Sequence, residues 1–334
     1  MSQQLLTVST SPHLLGRTTV RSMHLEIMAA LAPALLTGLY YFGMPALFTV
    51  LLATAAAVVG EVATVRLAKL PDRTGDLHAA LMGLVLGLVL PPGAPWFVPV
   101  VGGLLTVVLG KMIFGGLGNY PMHPVLVAWV ALSLSWPEHM NAFHGPIPWG
   151  QAGEWKITET PLMQLKNDIS TLQSFEMSQL WLGNIPGHIG AVGALPLLVG
   201  GLYLIARRLV PWQIPVGVLA GSAAMALFAS YVDPNIEQLG LEGVPAHFDV
   251  ALFHWATGGL MITAFFLATE SVSSPVTPWG CLLFGLGVGF MTVIVRCWGG
   301  LVDGAFYGVL IMNAATPLLD RIRPRVLGKV VSGA

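Results

Sequence analysis

Three carboxylates stand out by position. Glu61, Glu270 and Asp303 lie inside or at the edges of long apolar runs, where an acid is costly to bury and marks an ion path, a proton relay or a cofactor contact. Each also has a plainer reading. Glu61 precedes Arg66 and can sit at an interface, and Asp303 can cap the helix after it. Asp303 follows Arg296, Gly299, Gly300 and Leu301, much as Asn119 follows Lys111, Gly115, Gly116 and Leu117. A cation, Gly-Gly-Leu and a polar residue thus occur twice before an apolar helix. Gly115, Gly116, Asn119 and Asp303 are therefore candidates to line a cofactor- or ion-associated region. Other chemistries find no residues to support them. Cys281 and Cys297 form no C-x-x-C, so the chain cannot alone hold a four-thiolate cluster or structural zinc. His78, His123 and His254 show no facing register, so no haem or metal site is expected. A strand–helix G-x-G-x-x-G and a phosphate loop are both missing, which excludes nucleotide binding by this chain alone.

Positioning these groups falls to a membrane fold. Of 334 residues, 55% are apolar and only 9% charged, against about 25% charged in soluble domains. That excludes a soluble enzyme and a disordered chain. The balance of 15 Lys+Arg against 16 Asp+Glu excludes a nucleic-acid binder. Charge-free runs of about 20 residues read as spanning helices, and ten are expected, near 24–42, 46–66, 77–91, 96–113, 122–137, 188–206, 210–231, 249–268, 279–296 and 303–319. Residues 42–45, Phe-Gly-Met-Pro, break the first run, and a proline cluster over 91–95 breaks the second. Twelve of the fifteen basic residues then share one side, which by the excess of Lys and Arg in cytoplasmic segments puts both termini in the cytoplasm. Residues 1–23 lack the apolar core of a cleavable signal peptide.

The resulting organisation has five parts. A cytoplasmic segment (1–23) leads into a first five-helix unit (24–137). A polar external loop (138–187) follows, then a second five-helix unit (188–320) and a cytoplasmic tail (321–334). The paired Gly-Gly-Leu turns fall on opposite sides, as two inverted repeats of an all-α integral membrane protein require.

These same residues carry a family resemblance. Gly115-Gly116-Leu117-Gly118-Asn119-Tyr120-Pro121-Met122-His123-Pro124 resembles a G-G-L-G-x-N-x-F-N-P segment of the D subunit of the Rnf electron-transport complex, itself related to the B subunit of the sodium-pumping NADH:quinone reductase. The resemblance runs through residues 10–12, 90–96, 265–270, 299–304 and 323–328. It implies a bacterial inner-membrane subunit of an ion-translocating ferredoxin:NAD+ oxidoreductase, working with other membrane and peripheral Rnf subunits. It further implies covalent FMN, attached by a flavin transferase through a phosphoester to Thr in a D-x-x-S-x-A-T-P-L-like motif, with room for a second, noncovalent flavin such as riboflavin. In the external loop Thr160 takes the acceptor position before Pro161 and Leu162. Glu154, Ile157 and Glu159 depart from the motif. The competing class is a solute channel or secondary transporter built on inverted repeats, and covalent flavin separates the two.

Overall fold

The computed structural model describes residues 19–69, 74–147, 156–167, 176–232 and 248–322. The motifs at 10–12 and 323–328, Glu154 and most of the two terminal segments lie outside the described residues.

The described residues are helical apart from connecting loops and one isolated antiparallel bridge between His144 and Ile157. Helix α1 (Val20–Leu67) opens on a capping box in which Thr19 Oγ1 accepts from Ser22 N at 3.1 Å and Ser22 Oγ accepts from Thr19 N at 2.9 Å. Its 48 residues would reach about 72 Å if straight, more than twice the apolar thickness of a bilayer. Gly43, at φ 59° and ψ −144°, folds it back, a conformation that favours glycine. The next helix, α2 (His78–Leu88), sets Gly83 against Ala53 and Thr54, and Gly87 against Val50. At the start of α2, the His78 ring lies 5.2 Å from that of His24. Residues 20–42 and 44–67 therefore stand side by side and antiparallel, with the expected break at its expected place.

Six longer helices complete the bundle: α3 (Phe97–Val108), α4 (Pro124–Ser135), α8 (Ala194–Ala206), α9 (Gln213–Val232), α12 (Pro278–Cys297) and α13 (Ala305–Leu319). Between α4 and α8 lie the short α5 (Pro137–Met140), α6 (Pro161–Asn167) and α7 (Met177–Leu182). Between α9 and α12, α10 (Phe248–Ala256) meets α11 (Leu260–Ile262), which continues as a π-turn over Thr263–Leu267. The two arms of this broken helix are bent by 75°.

Among the described residues, four stretches are long and apolar enough to cross a membrane: α1, Phe97–Phe114, α9 and α12, with the bent pair a fifth if it is one span. The chain is a multi-pass membrane protein. The expectation of ten full-length spans is met only in part by length. Helices α2, α4, α8 and α13 are apolar but run to only 11–15 residues, short of the about 20 a crossing needs. Proline is one reason, since Pro91 and Pro92 follow α2 while Pro124 and Pro137 bracket α4.

Helices α9 and α12 are zipped by glycine. A methyl on Gly217 would meet Leu282 O at 2.7 Å, and methyls on Gly221, Gly285 and Gly289 would run into the backbone oxygens of Leu286, Ile214 and Val218. This is reciprocal small-xxx-small packing, in which missing side chains let the backbones touch. Gly289→Leu is expected to force α9 and α12 apart and lower thermal stability of the detergent-solubilised chain by an amount equivalent to at least ~1–3 kcal/mol. Gly75→Ala, which meets open space, should leave the unfolding midpoint in place.

Candidate functional site

Two cavities lie at opposite ends of the bundle. The larger, about 340 Å³, sits at the end where α4 stops and α13 starts, and Trp129, Thr160, Leu162, His188, Asp303 and Tyr307 are among its lining residues. Its size and mostly apolar wall with a few polar groups suit a small planar ligand.

Thr160 reaches this cavity through local chemistry. Thr158 N donates to Phe143 O at 2.9 Å and Gly145 N to Lys156 O at 3.2 Å, an antiparallel contact that carries the chain to the cavity wall. There Thr160 caps α6, its Oγ1 accepting from Met163 N at 3.2 Å, with Pro161 as the first helical residue, where its missing N–H costs nothing. Thr160 is 6% exposed, whereas residues 156–159, Thr158 and Glu159 among them, are exposed. Glu159 accepts from Asn167 Nδ2 at 3.0 Å. Lys166 fixes the other end of α6, donating to Gly299 O at 2.8 Å and to Leu301 O. Burial lowers its ammonium below the ordinary lysine value. Helix α6 is thus docked on the second Gly-Gly-Leu turn.

Under that turn lies a buried ion pair. Asp303 Oδ1 accepts from Arg296 Nη2 at 2.9 Å and from Ala305 N at 3.1 Å, the second bond capping α13, while Oδ2 accepts from Gly259 N at 2.5 Å. Arg296 also donates to His254 O at 2.8 Å and Thr257 O at 3.0 Å. The guanidinium therefore satisfies carbonyls at the end of α10, and the carboxylate satisfies an amide at the start of α11. A broken helix exposes such groups on both sides of the break. Gly258, at φ 61°, has no space for a side chain between this pair and Leu162. Asp303 thus bonds the first amide of α13 and also lines the cavity.

The other candidates lie elsewhere. Gly115, Gly116 and Asn119 are not on the wall of this cavity. Gly115 and Gly116 take φ of 98° and 94°, and Asn119 is exposed, its Nδ2 donating to Gly115 O at 3.3 Å. Matched spacing pairs Asn119 with Asp303, but spacing does not reveal that the glycines differ in role. The first pair supplies left-handed backbone, whereas Gly299 is small because it packs on Val295. Lys111 is buried and paired with Glu61 at 2.5 Å, so Glu61 is accounted for by its partner. Leu117 borders the second cavity, about 230 Å³, with His24, His78, His123 and Glu270. Glu270 accepts from Tyr120 OH at 2.8 Å and from Ser273 N at 2.8 Å, and Tyr120 OH lies 3.1 Å from His78 Nε2. Sequence reading misses the His24–His78 pairing because 54 residues separate them. It also misses Lys166 and His188, for which only the tertiary contacts give a signal. Arg296 reads as one of three external basic residues, although its place before Gly-Gly-Leu, matching that of Lys111, is a signal that could flag it.

The family model described as NQR2, RnfD, RnfE family matches residues 7–328. The D subunit of the ion-translocating oxidoreductase complex of Stutzerimonas stutzeri is 34% identical, with 95% of this chain and 94% of that protein covered. The D subunit of the Na(+)-translocating ferredoxin:NAD(+) oxidoreductase complex of Acetobacterium woodii is 36% identical, covering 98% and 97%. The proton-translocating counterpart of Clostridium ljungdahlii is 32% identical, covering 96% and 95%.

Arg296→Met should strand a buried carboxylate and cost ~3–5 kcal/mol, read as loss of folded chain from the membrane or a large drop in unfolding midpoint. Asp303→Asn keeps an acceptor oxygen for the surrounding backbone amides and should be the milder change.

Proposed function

The chain belongs to the NQR2, RnfD, RnfE family, and from that premise we propose that it is the D-type membrane component of an ion-translocating ferredoxin:NAD+ oxidoreductase complex. It carries FMN as a phosphoester on Thr160, and electrons pass through it between partner subunits in step with Na+ or H+ movement. It works only within the complex, because it offers neither a cysteine cluster nor a nucleotide fingerprint of its own. Bound FMN supplies the redox chemistry, and the chain supplies tether, cavity and orientation.

The observation that carries this reading is the site of Thr160. Its hydroxyl stands at the wall of the larger cavity, on a loop end docked by Lys166, while Thr158 belongs to an exposed stretch. Trp129, Leu162 and Tyr307 suit a flat ring, and the polar group at His188 can orient it. Exposure of residues 156–159 leaves the approach open to a flavin transferase.

The same reading includes ten crossings arranged as two inverted five-helix units in the bacterial inner membrane, with both termini cytoplasmic. In its favour, the two Gly-Gly-Leu turns border different cavities at opposite ends of the bundle, and each follows a buried, ion-paired cation, Lys111 or Arg296. The second cavity is the place available to an unattached flavin such as riboflavin.

The decisive test is a denaturing gel viewed by flavin fluorescence, joined to an intact mass increased by FMN less water. Thr160→Ala is expected to lose both signals and Thr158→Ala to keep them. Fluorescence persisting in the Thr160 variant would refute the attachment site, and a dark parent chain would point to a noncovalent flavin or to a channel. Independently, a reporter that works only in the periplasm should stay inactive when fused after Ala334.

A further inference from the structure

The polar groups on the wall of the larger cavity can be taken one at a time. Asp303 spends one oxygen on Arg296 and Ala305 and the other on Gly259. Ser133 Oγ donates to Trp129 O at 2.9 Å, and Asn141 Nδ2 donates to Pro137 O at 3.0 Å. Thr160 Oγ1 accepts from Met163 N, and Trp129 Nε1 donates to Val89 O at 3.2 Å. Tyr307 is only partly buried, so water can meet its hydroxyl. His188 is different. It is 5% exposed, it lines the cavity, and its buried Nδ1 has no hydrogen-bond partner among the described residues.

The His188 ring is held firmly in this state. Phe143 stands edge-on at 5.0 Å, Phe306 is tilted at 5.5 Å, and Trp129 stands edge-on at 6.3 Å. Nδ1 is sealed against protein, which leaves the Nε2 edge to face the cavity. The neutral imidazole carries one donor and one acceptor. A buried polar group without a partner is costly and uncommon in folded proteins. Here the enclosing aromatic residues fix the direction of the ring, and a ligand in the cavity can reach only the Nε2 edge.

We propose that His188, through Nε2, hydrogen-bonds the ring system of the flavin held in this cavity and thereby sets its reduction potential. The inference rests on the reading that FMN is tethered at Thr160, and it adds a residue that the tether motif does not contain. A hydrogen bond that differs in strength between oxidised and reduced flavin shifts the potential, whereas a packing residue leaves it in place.

The test uses the full chain, co-expressed with a flavin transferase and purified, with the potential followed by the visible flavin band. In-gel fluorescence first reports whether FMN is attached. A dark parent removes the Thr160 reading and this proposal with it, whereas a fluorescent chain leaves His188 to be judged by itself. His188→Phe is expected to stay fluorescent and to change the oxidised-to-reduced ratio at a fixed potential about tenfold, ~30 mV for a two-electron couple. His188→Gln, which can still hydrogen-bond, should recover most of that change. An unmoved potential in His188→Phe overturns the assignment. Because that variant can fail to assemble, the parent is also read by reduced-minus-oxidised infrared difference spectra after ¹⁵N-histidine labelling. A label-sensitive imidazole band absent from His188→Gln is expected, and no such band, or one that persists in His188→Gln, overturns the proposal.

Discussion

A single buried ion pair, Arg296 with Asp303, joins four elements at one point. The guanidinium closes the end of α10, and the carboxylate closes the start of α11 and caps α13, while Arg296 itself ends α12. In an apolar surrounding each of these backbone groups would be costly if left alone. The charges are equally costly without each other. Break, turn and pair are therefore interdependent: the bent helix is tolerable because the pair satisfies it, and the pair is tolerable because backbone groups complete its hydrogen bonds.

The cavity follows from this arrangement. Bending between α10 and α11 at Gly258 leaves space between the broken helix, α4 and α13, and Gly258 admits no side chain there. The polar loop then finds a ready surface. Lys166 anchors to carbonyls of the Gly299–Leu301 turn, and Thr160 is held at the wall by its own helix cap. The residue that would bear the cofactor and the residues that shape its pocket are thus positioned by one turn.

At the other end a similar solution uses different backbone. Lys111 is neutralised by Glu61 on the folded-back helix α1, and the glycines supply positive φ. Tyr120 there links to Glu270, 150 residues away. Both ends thus bury a cation beside a Gly-Gly-Leu turn, but only one of them delivers a loop threonine to a cavity.

Much of the fold was legible in the residues because the bilayer leaves few options. Apolar runs, proline and glycine breaks and the polar loop set the helix positions, and Gly43 folds α1 where the charge-free run was too long for one crossing. Family pattern pointed to Thr160, and Gly-Gly-Leu drew attention to Asp303. Tertiary structure alone decided the rest. It separated Asn119 from Asp303 because matched spacing does not specify backbone conformation. It buried Arg296 and Lys111, whose partners are set by how helices cross and not by distance along the chain. It left Nδ1 of His188 unpartnered at a cavity wall, a property that arises only when the aromatic residues around it are brought together from distant segments.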